Sequence, residues 1–277
     1  MKYRVNQKNN DKLSLLGFGA MRFPMNENGR IDVDEAVKMV RYAIDNGVNY
    51  LDTAYIYQDG QSEETLKIAM EDGYREKVSV ATKLPFMMME KAEDMQTAFD
   101  VQMGRLGVDC IDYYLIHDIN DASYEKYKNF DVLSFMKEKR AEGKITNIGF
   151  SYHGEKTDLF KEIIDSYDWD FCQIQLNYMD AENQAGVAGL KYAASKGIPV
   201  IIMEPIRGGK LTDIIPDSIQ AYWDTINSER TPAEWALRWV ANFPEVTTIL
   251  SGMSTMEQVV ENVQVLSDAE ADSLSEH

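Results

Sequence analysis

Four polar side chains in the first half of the chain are of types that can transfer a proton together. They are Asp52, Tyr57, Lys83 and His117. A tyrosine phenol has a pKa near about 10 in water, so its use as an acid or base at neutral pH requires a tuned environment. A lysine ammonium beside the phenol favours its ionised form, and a carboxylate can neutralise such a lysine when it is buried. These residues therefore predict proton-transfer chemistry, provided that the fold brings them together.

Three of the four residues directly follow short β-like runs, and Tyr57 lies in the loop after the first run. The runs are 47–51 before Asp52, 77–82 before Lys83 and 111–116 before His117. A helical pattern follows each run, as in a parallel α/β barrel. The C-terminal ends of barrel strands gather on one face, which holds the active site in nearly every characterised case. We therefore expect the four side chains to converge there.

Each residue alone has a simpler interpretation. An aspartate after a strand usually caps a helix, a lone lysine usually lies in solvent, and a histidine that ends an apolar strand is more often a core or loop residue. Tyr57 is one of fifteen tyrosines. Their shared position at strand ends favours the catalytic interpretation, and residues 52–57 (DTAYIY) are the most discriminating segment.

The alternation of strand and helix occurs eight times along the chain, which is typical of a parallel sheet with crossover helices. We predict a single (β/α)8 TIM barrel over residues 1–265, with an N-terminal β-hairpin made by 2–5 and 12–15 closing the bottom. The predicted strands centre on 15–18, 49–51, 78–81, 111–116, 147–150, 171–175, 200–203 and 247–250.

Caps and composition predict where helices begin and end. Asp32 and Ser62 are plausible N-caps, because acidic residues follow each in the first helical turn. Residues 266–277 are acidic and lack aromatic side chains, which predicts a mobile tail. The glycines placed where helices should stop are Gly47, Gly107, Gly143 and Gly197.

Length and charge narrow the function classes. A chain of 277 residues, 44% of them hydrophobic, is ordinary for one α/β barrel. The net charge of −18 makes binding to nucleic acid or anionic lipid improbable and favours a small-molecule partner. No run of about 18 to 20 apolar residues suggests a membrane span and no signal peptide is evident, so we expect a cytoplasmic protein. Cys110 and Cys172 suggest neither a disulfide framework nor a cluster, and both are predicted core residues.

An ordered series of segments between about Leu13 and Val265 resembles the aldo-keto reductase superfamily. Any one segment is weak evidence, but their order is highly specific. The resemblance implies an enzyme that reduces an aldehyde or ketone to an alcohol with hydride from NADPH or NADH. The segments are 17–21 (GFGAM), 52–57 (DTAYIY), 82–83 (TK), 106–117 (LGVDCIDYYLIH), 143–151 (GKITNIGFS), 173–178 (QIQLNY) and 204–211 (EPIRGGKL).

The same resemblance implies a role for each of the four polar residues. Tyr57 donates the proton that the alkoxide requires after hydride addition, and Lys83 together with Asp52 tunes the phenol. His117, in its neutral form, donates a hydrogen bond that polarises the substrate carbonyl.

Cofactor binding is predicted without a dinucleotide fingerprint, because no Gly-x-Gly-x-x-Gly follows a strand. The resemblance implies a nicotinamide over the barrel mouth, with Ser151 and Gln175 reaching its carboxamide. Met203 stands where relatives commonly stack an aromatic ring, and a methionine can cover the nicotinamide less rigidly. The residues implied beside the cofactor at this end are Gly19, Ala20, Met21, Ser151, Gln175 and Met203.

Two further segments are implied in holding the phosphates and the adenosine. Residues 205–210 follow the seventh strand, where barrels frequently bind phosphate, although a simple glycine turn is an open alternative. The implied contacts there are Pro205, Ile206, Arg207, Gly208, Gly209 and Lys210. Those at the adenosine end are Gly252, Ser254, Gln258 and Asn262.

Cofactor preference depends on two missing cations. NADPH-specific relatives carry basic residues at the positions of Gly252 and Gln258, where they bind the ribose 2′-phosphate. One charge-assisted hydrogen bond contributes roughly 1.5 to 3 kcal/mol. We therefore expect no strict preference for NADPH, but NADH or dual use, although Arg207 or Lys210 could reach the 2′-phosphate.

The substrate stays undefined by sequence. Met21, Tyr55, Phe86 and the methionines at 87–89 suggest an apolar pocket wall, but the methionine run could equally be the buried start of a helix. His153 could line the same pocket or lie on the surface. The oligomeric state is not fixed either, with a monomer slightly favoured.

Two other functions remain open. One is a cofactor-binding regulatory or scaffold protein with slow or vestigial reductase activity, as in relatives that serve as channel subunits. The other is a metal-dependent barrel enzyme with His117, Asp118 and Asp52 as ligands, which no spaced histidine pair supports. Residues 204–209 also resemble a branch of the superfamily whose members often continue into a cysteine-rich iron–sulfur extension. The sequence stops before such a region, and its two cysteines are expected to bind no such cluster.

Overall fold

Eight parallel strands form a closed barrel in a computed structural model, which describes residues 1–213, 215–227 and 229–274. Each strand pairs with the next along the chain, and the last strand closes the barrel by pairing Ile249 with Leu16. The predicted (β/α)8 TIM barrel is confirmed. The barrel strands are β3 (Leu16–Gly19), β4 (Tyr50–Asp52), β5 (Ser79–Leu84), β6 (Ile111–Ile119), β7 (Ile145–Tyr152), β8 (Phe171–Gln175), β9 (Val200–Met203) and β10 (Val246–Gly252).

Helices surround the barrel and cover the outward faces of the strands. They are α1 (Val33–Asp45), α2 (Gln61–Ala69), α3 (Asp94–Leu106), α4 (Tyr124–Asn129), α5 (Val132–Ala141), α6 (Thr157–Ser166), α7 (Gly186–Ser195), α8 (Lys210–Asp213), α9 (Asp217–Asn227), α10 (Pro232–Ala241) and α11 (Met256–Asp268). Short 3-10 turns lie at Ala20–Arg22, Tyr57–Gly60, Arg75–Lys77, Phe86–Met88 and Arg207–Gly209. None of the helices in the described ranges is long and apolar enough to cross a bilayer.

Side chains fill the interior of the barrel, as is usual for this architecture. The rings of Tyr50 and Phe171 both pack edge-on against Tyr113, with centroid distances of 5.2 and 5.0 Å. Because successive strand residues point to opposite faces, the residue two positions further along each strand points inward one layer higher. The interior cluster consists of Leu13, Tyr50, Ala81, Tyr113, Leu115, Phe171, Ile201 and Leu250.

An N-terminal hairpin closes the bottom of the barrel, as predicted. Its strands are β1 (Tyr3–Val5) and β2 (Lys12–Ser14), which pair antiparallel. The Tyr113 hydroxyl donates to Asp11 at 2.6 Å, and the Asn9 amide donates to Asn147 at 3.0 Å. These contacts bind the hairpin to the N-terminal ends of β6 and β7.

One predicted helix cap is confirmed and the other is wrong. The Asp32 carboxylate accepts from the backbone N–H of Glu35 at 3.2 Å and so caps α1. Helix α2 instead begins after Gly60, and Ser62 is buried within its first turn, where its hydroxyl lies 2.7 Å from that of Thr53. The four glycines predicted to stop helices all have positive φ, as that role requires.

The two cysteines differ in burial. Cys172 on β8 is fully buried, as predicted. The prediction of a core position is wrong for Cys110, which is partly exposed because it precedes β6 at the barrel rim, with its sulfur 3.4 Å from the Thr146 hydroxyl.

The last helix extends past residue 265, the predicted boundary between the barrel and the tail. Helix α11 continues to Asp268, because Leu266 is buried against the barrel. Further on, the Leu274 N–H donates to the Asn242 side chain at 2.8 Å. The mobility of the tail stays a prediction, and residues 275–277 lie outside the described part of the chain.

Candidate active site

Strand alternation places three of the four predicted catalytic side chains directly above the barrel interior. Asp52 follows Tyr50 on β4, Lys83 follows Ala81 on β5, and His117 follows Leu115 on β6, each two residues later. All three are buried, with exposures of 3, 1 and 8% for Asp52, Lys83 and His117. Strand geometry alone therefore gathers them at the C-terminal face.

Lys83 is the centre of the group. Its ammonium donates to the Asp52 carboxylate at 2.5 Å and to the carbonyl oxygen of Thr53 at 2.7 Å. The Tyr57 hydroxyl oxygen lies 3.5 Å from the same nitrogen. The structure thus brings the cation, the carboxylate and the phenol into one chain of contacts, in the arrangement that proton transfer through a tyrosine requires.

The charges of the buried pair follow from these contacts. Burial lowers the pKa of Lys83, but Asp52 and Tyr57 outweigh this effect and raise the pKa above its usual value. Burial also raises the pKa of Asp52, which Lys83 opposes. We assign an ion pair, because the ammonium is held by two oxygen acceptors at hydrogen-bonding distance.

Burial determines the protonation of Tyr57. It raises the pKa of the phenol, whereas Lys83 lowers it, and the net direction is upward. Lys83 acts on the phenol in the predicted sense, but burial outweighs its effect. At neutral pH the phenol keeps its proton.

His117 is neutral, in agreement with the sequence prediction. Burial lowers its pKa to about 3, and the positive charge of Lys83 and the neighbouring His153 act in the same direction. The imidazole ring meets the Tyr57 ring edge-on at a centroid distance of 6.3 Å. His153 itself is half-buried on the loop after β7, so it lies near this group rather than on the open surface.

The mouth of the barrel carries an unused hydrogen-bond donor. The amide nitrogen of Gln175, at the end of β8, is buried and has no hydrogen-bond partner among the described residues. The Ser151 hydroxyl on β7 accepts from the N–H of Asp118 at 2.8 Å. Met203, at the end of β9, is half-exposed. An orphaned buried amide donor fits a ligand with a carbonyl acceptor, such as the carboxamide of nicotinamide.

The loop after β9 is a tight turn with left-handed backbone. Arg207, Gly208 and Gly209 have φ values of 52°, 67° and 95°. The backbone N–H groups of Arg207 and Gly209 donate to carbonyl oxygens within the loop, so these two donors are already used there. The Arg207 guanidinium pairs with Asp180 at 3.2 Å. The loop keeps its predicted position at the mouth between Pro205 and Lys210.

The predicted adenosine contacts lie together at the start of α11. The Asn262 amide donates to the Ser251 hydroxyl at 2.9 Å, and the Gln258 side chain accepts from the N–H of Ser254 at 2.8 Å. The Ser254 hydroxyl in turn donates to the carbonyl oxygen of Arg22 at 2.9 Å. These bonds connect the end of β10 to the Ala20–Arg22 turn after β3.

Arg22 is a cation at this site that the sequence prediction omitted. A Cβ built on Gly252 would lie 3.2 Å from the Arg22 side chain, and one built on Gly208 would lie 2.8 Å from its guanidinium. The Arg22 side chain therefore lies between Gly252, at the end of β10, and Gly208, in the turn after β9. Arg22 directly follows the 17–21 segment, and this position could have identified it as a candidate site residue.

The suggested apolar wall is divided between core and surface. Phe86 is fully buried and Met89 is 7% exposed, but Met88 is 66% exposed. The methionine run forms a 3-10 turn before α3, so neither of the two interpretations describes it completely. Met21 is 53% exposed at the rim.

The residues suggested as metal ligands do not form a cluster in the described part of the chain. Across residues 1–213, 215–227 and 229–274, the structure contains no group of three or more His, Cys, Asp or Glu residues that could hold a metal ion. Asp52, one of the suggested ligands, is paired with Lys83.

Comparisons with known proteins agree with this geometry. Residues 15–277 match the sequence model of the aldo/keto reductase family. L-galactose dehydrogenase of Arabidopsis thaliana is 28% identical over 94% of this chain and 86% of its own length. NADH-specific methylglyoxal reductase of Escherichia coli is 26% identical over 90% and 89% of the two chains.

Solved structures show the same fold. Aldo-keto reductase AKR11C1 from Bacillus halodurans superposes with a TM-score of 0.79 at 22% identity, covering 98% of this chain and 92% of its own. An aldo/keto reductase from Klebsiella pneumoniae in complex with NADP and acetate has a TM-score of 0.76 at 24% identity, covering 100 and 92%. Because the family match spans nearly the whole sequence, this chain belongs to the aldo/keto reductase family and is an NAD(P)H-dependent oxidoreductase.

Proposed function

We propose that this protein reduces the carbonyl group of a small aldehyde or ketone to an alcohol, with Tyr57 as the proton donor. The observation that carries the proposal is the buried contact chain from Asp52 through Lys83 to Tyr57, beside a neutral His117. The names of the relatives, among them a methylglyoxal reductase and a 6-dehydroglucose reductase, support a small carbonyl substrate. When bound, the nicotinamide supplies hydride to the carbonyl carbon.

Tyr57 and Lys83 have different roles in proton transfer. The raised pKa of Tyr57 keeps the phenol protonated, so it has a proton to give to the substrate oxygen. The phenolate that remains is stabilised by the Lys83 ammonium 3.5 Å away. Asp52 and the Thr53 carbonyl keep that ammonium in place, so its charge acts without reorganisation of the site.

His117 contributes a hydrogen bond rather than a charge. With a pKa of about 3, the imidazole is neutral at any physiological pH and carries one ring N–H. We assign this N–H to the substrate oxygen, where it stabilises negative charge as it develops. A neutral donor also leaves the proton transfer itself to Tyr57.

The strand ends offer groups that fit the cofactor. The buried Gln175 amide and the Ser151 hydroxyl would hold the carboxamide, and Met203 would cover the ring. Arg22 supplies a cation between Gly208 and Gly252, where the phosphates are expected. We propose NADH or dual use, because neither Gly252 nor Gln258 supplies a cation for a 2′-phosphate.

The direct test is oxidation of NADH and NADPH by the purified chain with a panel of aromatic and aliphatic aldehydes and ketones. We expect turnover with at least one carbonyl, and less than a tenfold advantage for NADPH in kcat/KM with the same substrate. Absence of turnover together with tight retention of the nucleotide would contradict the proposal and favour a regulatory or scaffold role.

A further inference from the structure

A second buried carboxylate lies on the outer side of β5, away from the substrate side of the barrel. Glu63 on α2 is completely buried and does not contact Lys83 or Tyr57 directly. One of its oxygens accepts from the Thr82 hydroxyl at 2.7 Å and from the Gln102 amide at 2.9 Å. A buried charge of this kind is costly unless its partners are well placed, so its contacts indicate what it holds in position.

The first of these contacts fixes the strand that carries Lys83. Thr82 directly precedes the lysine and points outward, while Lys83 points into the barrel. The Gln102 amide also donates to the backbone carbonyl of Lys83 at 3.1 Å. The Tyr114 hydroxyl orients that glutamine by donating to its oxygen at 2.7 Å. The backbone of Lys83 is therefore held from behind by Glu63 and Gln102.

The second contact fixes the loop that carries Tyr57. The other oxygen of Glu63 lies 3.4 Å from the Arg105 guanidinium, which donates to the carbonyl oxygen of Tyr55 at 3.1 Å. The guanidinium also lies 4.6 Å from the centroid of the Tyr55 ring. It packs against Gly60, where φ is 89° and any Cβ would collide with it. Arg105 thus holds both ends of the segment 55–60.

We propose that Glu63 and Arg105 are positioning residues that set the separation between the Tyr57 hydroxyl and the Lys83 ammonium. A single carboxylate joins the proton-donor loop, through Arg105, to the lysine strand, through Thr82 and Gln102. Misplacement by about 1 Å can cost a reaction up to about a hundredfold in rate. The proposal depends on the proposed function for its kinetic consequence, whereas its effect on the loop can be measured without substrate.

The test compares Glu63→Gln with Glu64→Gln. The two glutamates are neighbours on α2 and lose the same charge, but Glu64 is exposed. Glutamine at position 63 still offers an oxygen to Thr82 and Gln102 but no second anionic oxygen to Arg105. We expect kcat to fall about tenfold in Glu63→Gln, with cofactor Kd within about twofold of wild type. Glu64→Gln should match wild type in both constants.

Two readouts separate positioning from general weakening. Hydrogen exchange should accelerate in the loop segment 55–60 of Glu63→Gln and not in the barrel strands. The pKa of Tyr57, taken from ultraviolet titration with Tyr57→Phe as the reference, should rise as the ammonium moves away. Arg105→Met should reproduce both effects, because it removes the same link from the other side.

Each result decides the proposal. Wild-type exchange and wild-type kcat in a folded Glu63→Gln protein would overturn it, as would accelerated exchange spread over the whole barrel. If the wild type turns over no carbonyl, the proposed function fails, and the exchange and titration results still decide whether Glu63 holds the loop.

Discussion

Burial shifts the pKa values of the two neutral groups of the site, Tyr57 and His117, in opposite directions. It raises the pKa of Tyr57 and lowers the pKa of His117, so both groups are uncharged near pH 7. The Lys83 cation opposes the effect of burial at Tyr57 and reinforces it at His117. Their identity was predictable from residue type and strand-end position. The net direction of the pKa shift of Tyr57 was not predictable. The sequence indicates a nearby lysine, but it does not show how completely the fold excludes water from the phenol.

The depressed pKa of His117 predicts an acid-sensitive contribution to stability. The folded protein keeps this side chain neutral down to about pH 3, whereas the unfolded chain protonates it below about pH 6.5. The contribution is therefore complete above about pH 6.5 and is lost as pH falls towards 3. In urea unfolding at pH 7 and at about pH 4.5, His117→Gln should lose less stability than wild type, by on the order of 1 to 3 kcal/mol.

His153→Gln is the matched comparison, because it removes only the smallest of the contributions that lower the pKa of His117. Its loss of stability should therefore stay close to that of wild type. Equal losses of stability in wild type and His117→Gln over this pH range would show that burial does not keep His117 neutral in the folded protein.

At the scale of elements, the predicted strand ends made the positions of Asp52, Lys83 and His117 at the barrel mouth predictable. Inward positions on β4, β5 and β6 could be counted from the sequence before any contact was known. The assignment of Ser62 as a helix cap failed because Gly60 begins the helix and Ser62 is drawn to Thr53. Arg22 and Glu63 were missed because their partners lie on other loops and strands, and no local pattern encodes such tertiary contacts.

Arg22 provides a prediction at the same scale, because its side chain bridges two loops. Its guanidinium lies nearest to Gly208 on the turn expected to hold the pyrophosphate, which both cofactors share. Arg22→Met should therefore weaken NADH and NADPH binding alike, by roughly tenfold to a hundredfold. Fluorescence titration of both nucleotides measures the effect. Arg30→Met is the control, because Arg30 is an exposed arginine on the loop before α1. A loss confined to NADPH would assign Arg22 to the 2′-phosphate instead.

At the scale of the whole molecule, fold class and family were predictable because signals from strand, helix and motif agree along nearly the entire chain. The barrel closes as predicted, from β10 to β3, and the hairpin closes its lower end. The net charge of −18 is also a property of the whole molecule. An anionic nucleotide must approach this negative surface before it meets the cations at the mouth.

This charge predicts an unusual salt dependence for cofactor association. Screening of the long-range repulsion should speed binding of NADPH as salt rises from about 0.01 to about 0.15 M, because the Debye length falls from about 30 to about 8 Å. Stopped-flow association rates at the two salt concentrations measure the effect, and NADH, which carries less charge, should respond less. A rate that falls with salt would show that the mouth cations dominate the approach.

The most direct test of the account is a comparison of wild type, Tyr57→Phe and Tyr42→Phe in carbonyl reduction and in cofactor binding. Tyr42 lies on α1, outside the barrel mouth, and serves as the matched control. We expect Tyr57→Phe to lose about a hundredfold to ten-thousandfold in kcat with cofactor Kd unchanged, because it removes only the proton donor. Retention of wild-type kcat by Tyr57→Phe, with cofactor bound normally, would contradict the assignment of Tyr57 and the mechanism built on it.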